Sequence, residues 1–364
     1  MLFSLRCPEI VLHCTQKHDS CVRRRLIRTG FPGGKRVLQD SAKVKDREFN
    51  DALEHAFLTQ IDNKNGTVAD YIPELSKANP NNFGLAIATT TGKLYEIGNV
   101  KARFTIQSVS KAFAFCLALE VAGADVVASR VGVEPSGDPF NAIVFDPQTH
   151  RPFNPMVNAG AIAIAGILRE YLGDDAFPFL MERFSAAAGR TLDLNEAVFR
   201  SEHETGHRNR AIAHLLLASN AIAVNPDDAL DLYFRQCSIS VNTRDLALMG
   251  ATFANMGSNP TTRKPAFDIG AVRSTLAVMF TCGMYDYAGH WAYDVGIPAK
   301  SGVGGGIVGV VNRQLGIASF SPRLDAKGNS VRGVGAFKVL AEHFGLHAFD
   351  CTNVGSSFIA SLIR

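Results

Sequence analysis

The sequence predicts an α+β protein of two lobes, and three observations carry that prediction. Two pairs of strand-like runs lie far apart, one near residue 90 and one near residue 313. Between them runs a long block with helical periodicity. A helix-like stretch also stands outside each strand pair. Distant strand pairs that join around an inserted helical block give one antiparallel sheet flanked by helices, plus an all-helical lobe.

In chain order, Phe49, Leu53, Phe57 and Ile61 recur every fourth residue, which predicts an amphipathic helix over 46–63. The runs FGLAIAT (83–89) and KLYEIG (93–98) flank a Thr-Thr-Gly turn at Gly92 and read as a hairpin. From Gln107 the very apolar SVSKAFAFCLALEVAG reads as a helix that stops near Gly123. From Asn154 to about Phe280 the helical pattern dominates, in NAGAIAIAGILREYLG, AFPFLMERFSAAAG, RNRAIAHLLLAS, NPDDALDLYFRQCS and TRDLALMGATFANMG. Strand signal returns in GGIVGVVNRQLGIASFS, with Asn312-Arg313-Gln314 as the turn, and the helix VGAFKVLAEHFG follows. These boundaries divide the chain into a basic leader (1–45), a main domain (46–345) with its helical lobe over about 124–265, and a tail (346–364).

Charge is distributed unevenly. Residues 1–45 hold ten Lys/Arg against three Asp/Glu, a net of +7, which leaves −4 for the rest of the chain. The folding part is mildly acidic, so no nucleic-acid partner is expected. The leader reads as disordered. Arg6, Pro8 and Glu9 interrupt its start, so no secretory signal is expected, and no run approaches a membrane span. Seven cysteines without paired spacing fit reduced thiols in a cytoplasmic protein better than a disulfide framework.

The sharpest local motif is S-x-x-K at Ser108 and Lys111, placed where a buried helix begins. Residues three apart share a helical face, so the amine can approach the hydroxyl. The helix start offers free N–H groups and favours developing negative charge. Apolar surroundings would depress the lysine pKa and leave a neutral amine to act as base. Alone the motif is weak, because an ordinary helix start at Ser110-Lys111 accounts for it. Lys300-Ser301-Gly302, on a strand-like segment in PAKSGVGGGIVG, strengthens it. S-x-x-K on a helix with a distant K-S/T-G on a strand is the pairing of serine β-lactamases and penicillin-binding proteins. The glycines of GVGGGIVG lack the order of a phosphate-binding loop.

With these motifs on the page, the chain resembles the serine-dependent glutaminases. The matching stretches are YIPELSK (71–77), FTIQSVSKAF (104–113), RPFNPMVNAGAI (151–162), SEHETGHRNRAIA (201–213), YFRQCSI (233–239), CGMYDYAG (282–289) and AKSGVGGGI (299–307). They keep the family's order and close to its spacing across roughly 46–320. The chain departs from some relatives in carrying His214 and Leu215 where they have aromatic residues.

The resemblance implies a β-lactamase-like fold, hydrolysis of L-glutamine to L-glutamate and ammonia, no cofactor, no metal and a homotetramer. It also implies roles. Ser108 is the nucleophile, Lys111 its base and Tyr285 a proton-relay partner, while the Ser108 and Val303 N–H groups form the oxyanion hole. Asn158, Glu202, Asn209 and Tyr233 hold the amino-acid end of the substrate, and Tyr71 closes over it. Residue chemistry agrees, since a zwitterion needs an anion near its ammonium and neutral donors near its carboxylate. Taken singly, Glu202 could equally be a helix-start acid, Asn158 a helix-end residue and Tyr233 a core aromatic.

Two other readings compete. A secreted penicillin-recognising enzyme would need an export signal, and a non-catalytic protein on this scaffold would be expected to lose Ser108, Lys111 or Tyr285. Asparagine stays open as a second substrate, because one methylene is worth only about 1–3 kcal/mol.

Overall fold

The computed structural model describes residues 34–349. The chain divides into two units, Met1–Lys43 and Val44–Arg364, and the site described below lies in the second. Residues 1–33 of the expected leader and 350–364 of the expected tail lie outside the described residues.

Helix α1 spans Gly34–Leu58 and begins well before the expected residue 46. No Pro or Gly interrupts residues 35–58, so nothing local stops the helix from extending backwards. The first hairpin follows as β1 (Gly84–Thr89) and β2 (Leu94–Gly98), then the short β3 (Phe104–Thr105). The helical lobe contains α2 (Ser110–Ala122), α3 (Ala124–Arg130), α4 (Asn158–Leu172) and α5 (Ala176–Ala188). It continues through β4 (Asp193–Leu194), α6 (Glu196–Thr205), α7 (His207–Ala218) and α8 (Pro226–Cys237). Strand β5 (Ile239–Val241), α9 (Thr243–Ala254), α10 (Ile269–Cys282) and α11 (Ala288–Asp294) lead back to the sheet. There β6 (Ala299–Ser301), β7 (Gly306–Val311) and β8 (Leu315–Phe320) precede α12 (Val331–Phe344).

The sheet order is β2-β1-β8-β7-β6, and every neighbouring pair is antiparallel. Its centre joins the two hairpins, with Ala86 opposite Ala318 and Ile87 opposite Ile317. The α+β reading of one antiparallel sheet flanked by helices therefore holds, although β4 and β5 lie inside the block expected to be all-helical. A strand's side chains alternate between faces, and here both faces are covered. Leu85, Ile87, Ile307 and Ile317 join Phe49, Leu53, Trp291, Phe337 and Phe344 in one core. Ala86, Ala88, Val308 and Ala318 join the helical lobe through Phe113, Phe253 and Leu246. The small residues on that second face let α9 lie close against the sheet, where a Cβ at Gly316 would stand 2.2 Å from the Ala251 nitrogen.

A second, three-stranded sheet, β3-β5-β4, ties the segment that leads into Ser108 to the helical lobe. Residues 131–157 form neither helix nor strand, although they fall inside the expected helical lobe. Among the described residues, no helix is long and apolar enough to cross a membrane.

Candidate active site

Ser108 sits in a single 3₁₀ turn, Gln107–Val109, that runs directly into α2. The first N–H groups of such a helical start have no intrahelical acceptor. Gln107 holds the turn with a left-handed backbone (φ 48°) and a buried side chain that donates to Thr105 Oγ1 at 3.2 Å. A non-glycine residue in that region is strained, and such strain persists only where the surroundings impose it. The imposing neighbour is the 302–305 loop. A Cβ on Gly302 would stand 3.0 Å from the Ile106 carbonyl oxygen, and one on Gly304 2.7 Å from that of Thr105. Only glycine lets the loop press this closely on the Ser108 turn. Val303 is buried in that loop, and its N–H makes no described hydrogen bond.

Lys111 follows one turn after Ser108 and is 1% exposed. Its described partners are Asn158 Oδ1 at 2.6 Å and the Met156 carbonyl at 3.4 Å, rather than Ser108. Burial lowers its pKa from 10.5 to about 8, although Cys237 and the Glu202 carboxyl pull it partly back. At pH 7 roughly a tenth of such an amine is neutral. Asn158 opens α4, accepts from the Tyr233 hydroxyl at 3.2 Å, and donates through Nδ2 to Asn209 Oδ1 at 3.0 Å. Three predicted substrate-end residues thus form one string that ends on the predicted base. Asn158 fixes the lysine as well as facing the cavity.

Tyr285 is buried, has a left-handed backbone (φ 58°), and donates its hydroxyl to the Ser301 carbonyl at 3.0 Å. Burial drives its pKa upwards, and a hydrogen bond with the Ser108 side chain draws it back. The phenol therefore stays protonated, and its described acceptor is the Ser301 carbonyl. Lys300, from the K-S-G motif, has no described contact with Ser108 and lies against Tyr285.

Glu202, from α6, is 6% exposed. Burial raises its pKa to about 7, against a hydrogen bond from Gln107 and the charge of Lys111. A cavity of about 110 Å³ is lined by Tyr71, Phe140, Asn158, Glu202, Arg208 and Asn209, among others. Tyr71 is half exposed at its rim. A groove of about 940 Å³ between α10 and the β7–β8 turn is larger but contains none of the predicted site residues. Size does not select the site here. Convergent polar groups do.

The structure thus joins Lys111, Asn158, Tyr233 and Asn209 in one hydrogen-bonded string, with Ser108 one helical turn before Lys111, and places Asn158, Asn209, Glu202 and Tyr71 around one cavity. Two contacts were not anticipated. Phe140 packs on the Tyr285 ring at 4.6 Å, and Lys300 lies against that ring. Phe140 comes from the stretch without regular structure, where sequence periodicity has nothing to report.

A family model described as Glutaminase matches residues 66–349, which include every predicted site residue. The chain is 52% identical to the glutaminase of Nostoc sp. over 293 residues, 80% of this chain and 88% of the relative. It is 45% identical to the glutaminase of Corynebacterium glutamicum, over 85% of this chain and 76% of that one. The solved probable glutaminase ybaS superposes with a TM-score of 0.80 at 38% identity, covering 84% and 99% of the two chains. The probable glutaminase of Bacillus subtilis gives 0.74 at 33% identity, covering 84% and 97%. The architecture is the serine β-lactamase-like one of these neighbours. Motif, fold and relatives converge, and the chain belongs to the glutaminase family of amidohydrolases.

Proposed function

We propose that the chain hydrolyses L-glutamine to L-glutamate and ammonia through Ser108 and an acyl-enzyme intermediate. The observation that carries the reading is the buried amine of Lys111 one turn from Ser108, with its pKa lowered to about 8. A neutral Lys111 takes the Ser108 proton as Oγ attacks the side-chain amide carbon. The oxyanion is received by the N–H groups of Ser108 and Val303. Tyr285 passes a proton to the departing nitrogen, which leaves as ammonia, and Ser108 carries a γ-glutamyl ester. Water, deprotonated by the same relay, attacks the ester and releases glutamate. Glu202 faces the substrate ammonium, while Asn158, Asn209 and Tyr233 take the carboxylate and Tyr71 closes the rim.

Rapid acid quenching during turnover, followed by peptide mass spectrometry, tests this. The γ-glutamyl adduct should fall on Ser108 and be missing from the Ser108→Ala protein. Steady turnover by Ser108→Ala would exclude the reading. The same reading assigns a cytoplasmic homotetramer that needs no cofactor. Sedimentation of the purified protein tests the assembly, and activity after exhaustive chelation and dialysis tests the absence of a cofactor.

A further inference from the structure

We propose that Lys300 is a positioning residue for Tyr285, holding the phenol against the Ser108 turn from behind. The inference rests on the proton-relay reading of Tyr285 and extends it to a residue that reading does not use. Lys300 is 0% exposed. Its Nζ donates to the Ser301 carbonyl at 2.6 Å, the same oxygen that accepts the Tyr285 hydroxyl at 3.0 Å. It also stands 4.0 Å from the centroid of the Tyr285 ring. One side chain thus touches both the face of the ring and the oxygen that anchors its hydroxyl. Phe140 is a second ring neighbour, with centroids 4.6 Å apart.

Such a clamp has a purpose in this fold. Tyr285 follows α10 with φ 58°, a conformation that a tyrosine adopts only when its surroundings hold it there. Strand β6 supplies both Lys300 and the Ser301 carbonyl, so the tyrosine is referenced to the sheet rather than to its own loop. The two lysines also divide the work. Lys111 faces the polar string of Asn158, whereas the described contacts of Lys300 are confined to Ser301 and the Tyr285 ring. Burial and the charge of Lys111 both push the Lys300 pKa well below the usual lysine range. A neutral amine can lie on the ring without adding a second buried positive charge to the site.

A double-mutant cycle on the full chain tests this, with Lys300→Met, Tyr285→Phe and the pair measured for kcat and KM on glutamine. Tyr285→Phe alone checks the parent reading, and an unchanged kcat there would refute the proton relay whatever Lys300 does. If the proposal holds, Lys300→Met lowers kcat about 10- to 100-fold with little change in KM. In the Tyr285→Phe background the same substitution should then lower kcat less than about three-fold, because the hydroxyl being positioned is already gone. Equal losses in both backgrounds overturn the proposal, as does a loss confined to KM. Lys300→Gln, run alongside, guards against misfolding. If neither variant folds to a cooperative melt, Lys300 is a structural residue and the proposal fails.

Discussion

Two buried regions of the molecule are built from different chemistry. On the far face of the sheet, Trp291, Phe337, Leu340 and Ile317 pack an apolar core. Within it the Trp291 Nε1 donates to the Ile297 carbonyl at 2.8 Å. At the Ser108 turn, Lys111, Lys300, Glu202 and Tyr285 are also buried, and each has its pKa displaced by burial. The first region stabilises the fold. The second holds ionisable groups whose pKa values burial has moved. The two should therefore respond oppositely when side chains are simplified.

The largest effect is expected at the nucleophile. Ser108→Ala should lower kcat by at least about 10³-fold and leave the melting temperature nearly unchanged, since one hydroxyl is lost without a cavity. Near wild-type ammonia release from a contaminant-free preparation would break the comparison at its centre. In the apolar region, Trp291→Ala should destabilise by about 3–5 kcal/mol, read by urea melts. The kcat of the protein still folded should barely move. A large fall in kcat of the folded fraction would show that the two regions are not separable.

Lys111→Met sharpens the contrast, because it should abolish turnover and yet stabilise the chain. Lowering a lysine pKa from 10.5 to about 8 corresponds to roughly 3 kcal/mol of destabilisation while both states are protonated. The folded lysine binds fewer protons than the unfolded one between those values. The cost is thus fully present below pH 8 and disappears as the pH rises past 10.5. Asn158 Oδ1 keeps the Tyr233 hydroxyl as a donor in the variant. Urea melts at pH 7 and pH 10 should show a stability gain that shrinks at the higher pH. A destabilised variant would mean that the amine's hydrogen bonds outweigh its desolvation.

The same contrast explains what the sequence could disclose. Both hairpins were legible because alternating or continuous apolar runs end in turn residues, and the sheet that joins them follows from closing the termini together. Helix α6 was legible only as a motif block. Its buried residues are Val198 and Glu202, so the inward face carries an acid and the periodicity is faint. Asn195, whose side chain accepts from the Val198 N–H at 3.1 Å, was the available signal for that helix start. Strands β3, β4 and β5 are too short to alternate visibly. In the site, the S-x-x-K spacing could show only that Lys111 follows one turn after Ser108. The amine's true partner, Asn158, lies 47 residues away, and Lys300 meets the Tyr285 ring from beyond α11. Contacts of that kind depend on tertiary packing, which spacing alone does not encode.

The smallest expected effect concerns Glu202, and it tests whether the polar region reads free glutamine in particular. A carboxyl whose pKa is raised to about 7 is only about half ionised at neutral pH. It is poised to ionise fully when an ammonium enters, since pairing offsets the desolvation that keeps it protonated. Glu202→Gln keeps shape and hydrogen bonding but removes that response. It should weaken glutamine recognition by about 2 kcal/mol, near the low end for losing one partner of a buried charge pair, because the free enzyme holds only part of the charge. The pH dependence gives the sign. In the wild type, recognition should improve as the pH rises through 7 and Glu202 ionises, whereas the variant should lack that rise and keep only the limb set by Lys111 near 8. A glutamine acetylated on its α-nitrogen carries no ammonium. The wild type should discriminate strongly against it and the variant much less, measured as the ratio of kcat/KM for the two substrates. An unchanged ratio would mean that Glu202 does not face the ammonium. The 110 Å³ cavity would then hold the substrate in the opposite sense, with its carboxylate toward Arg208.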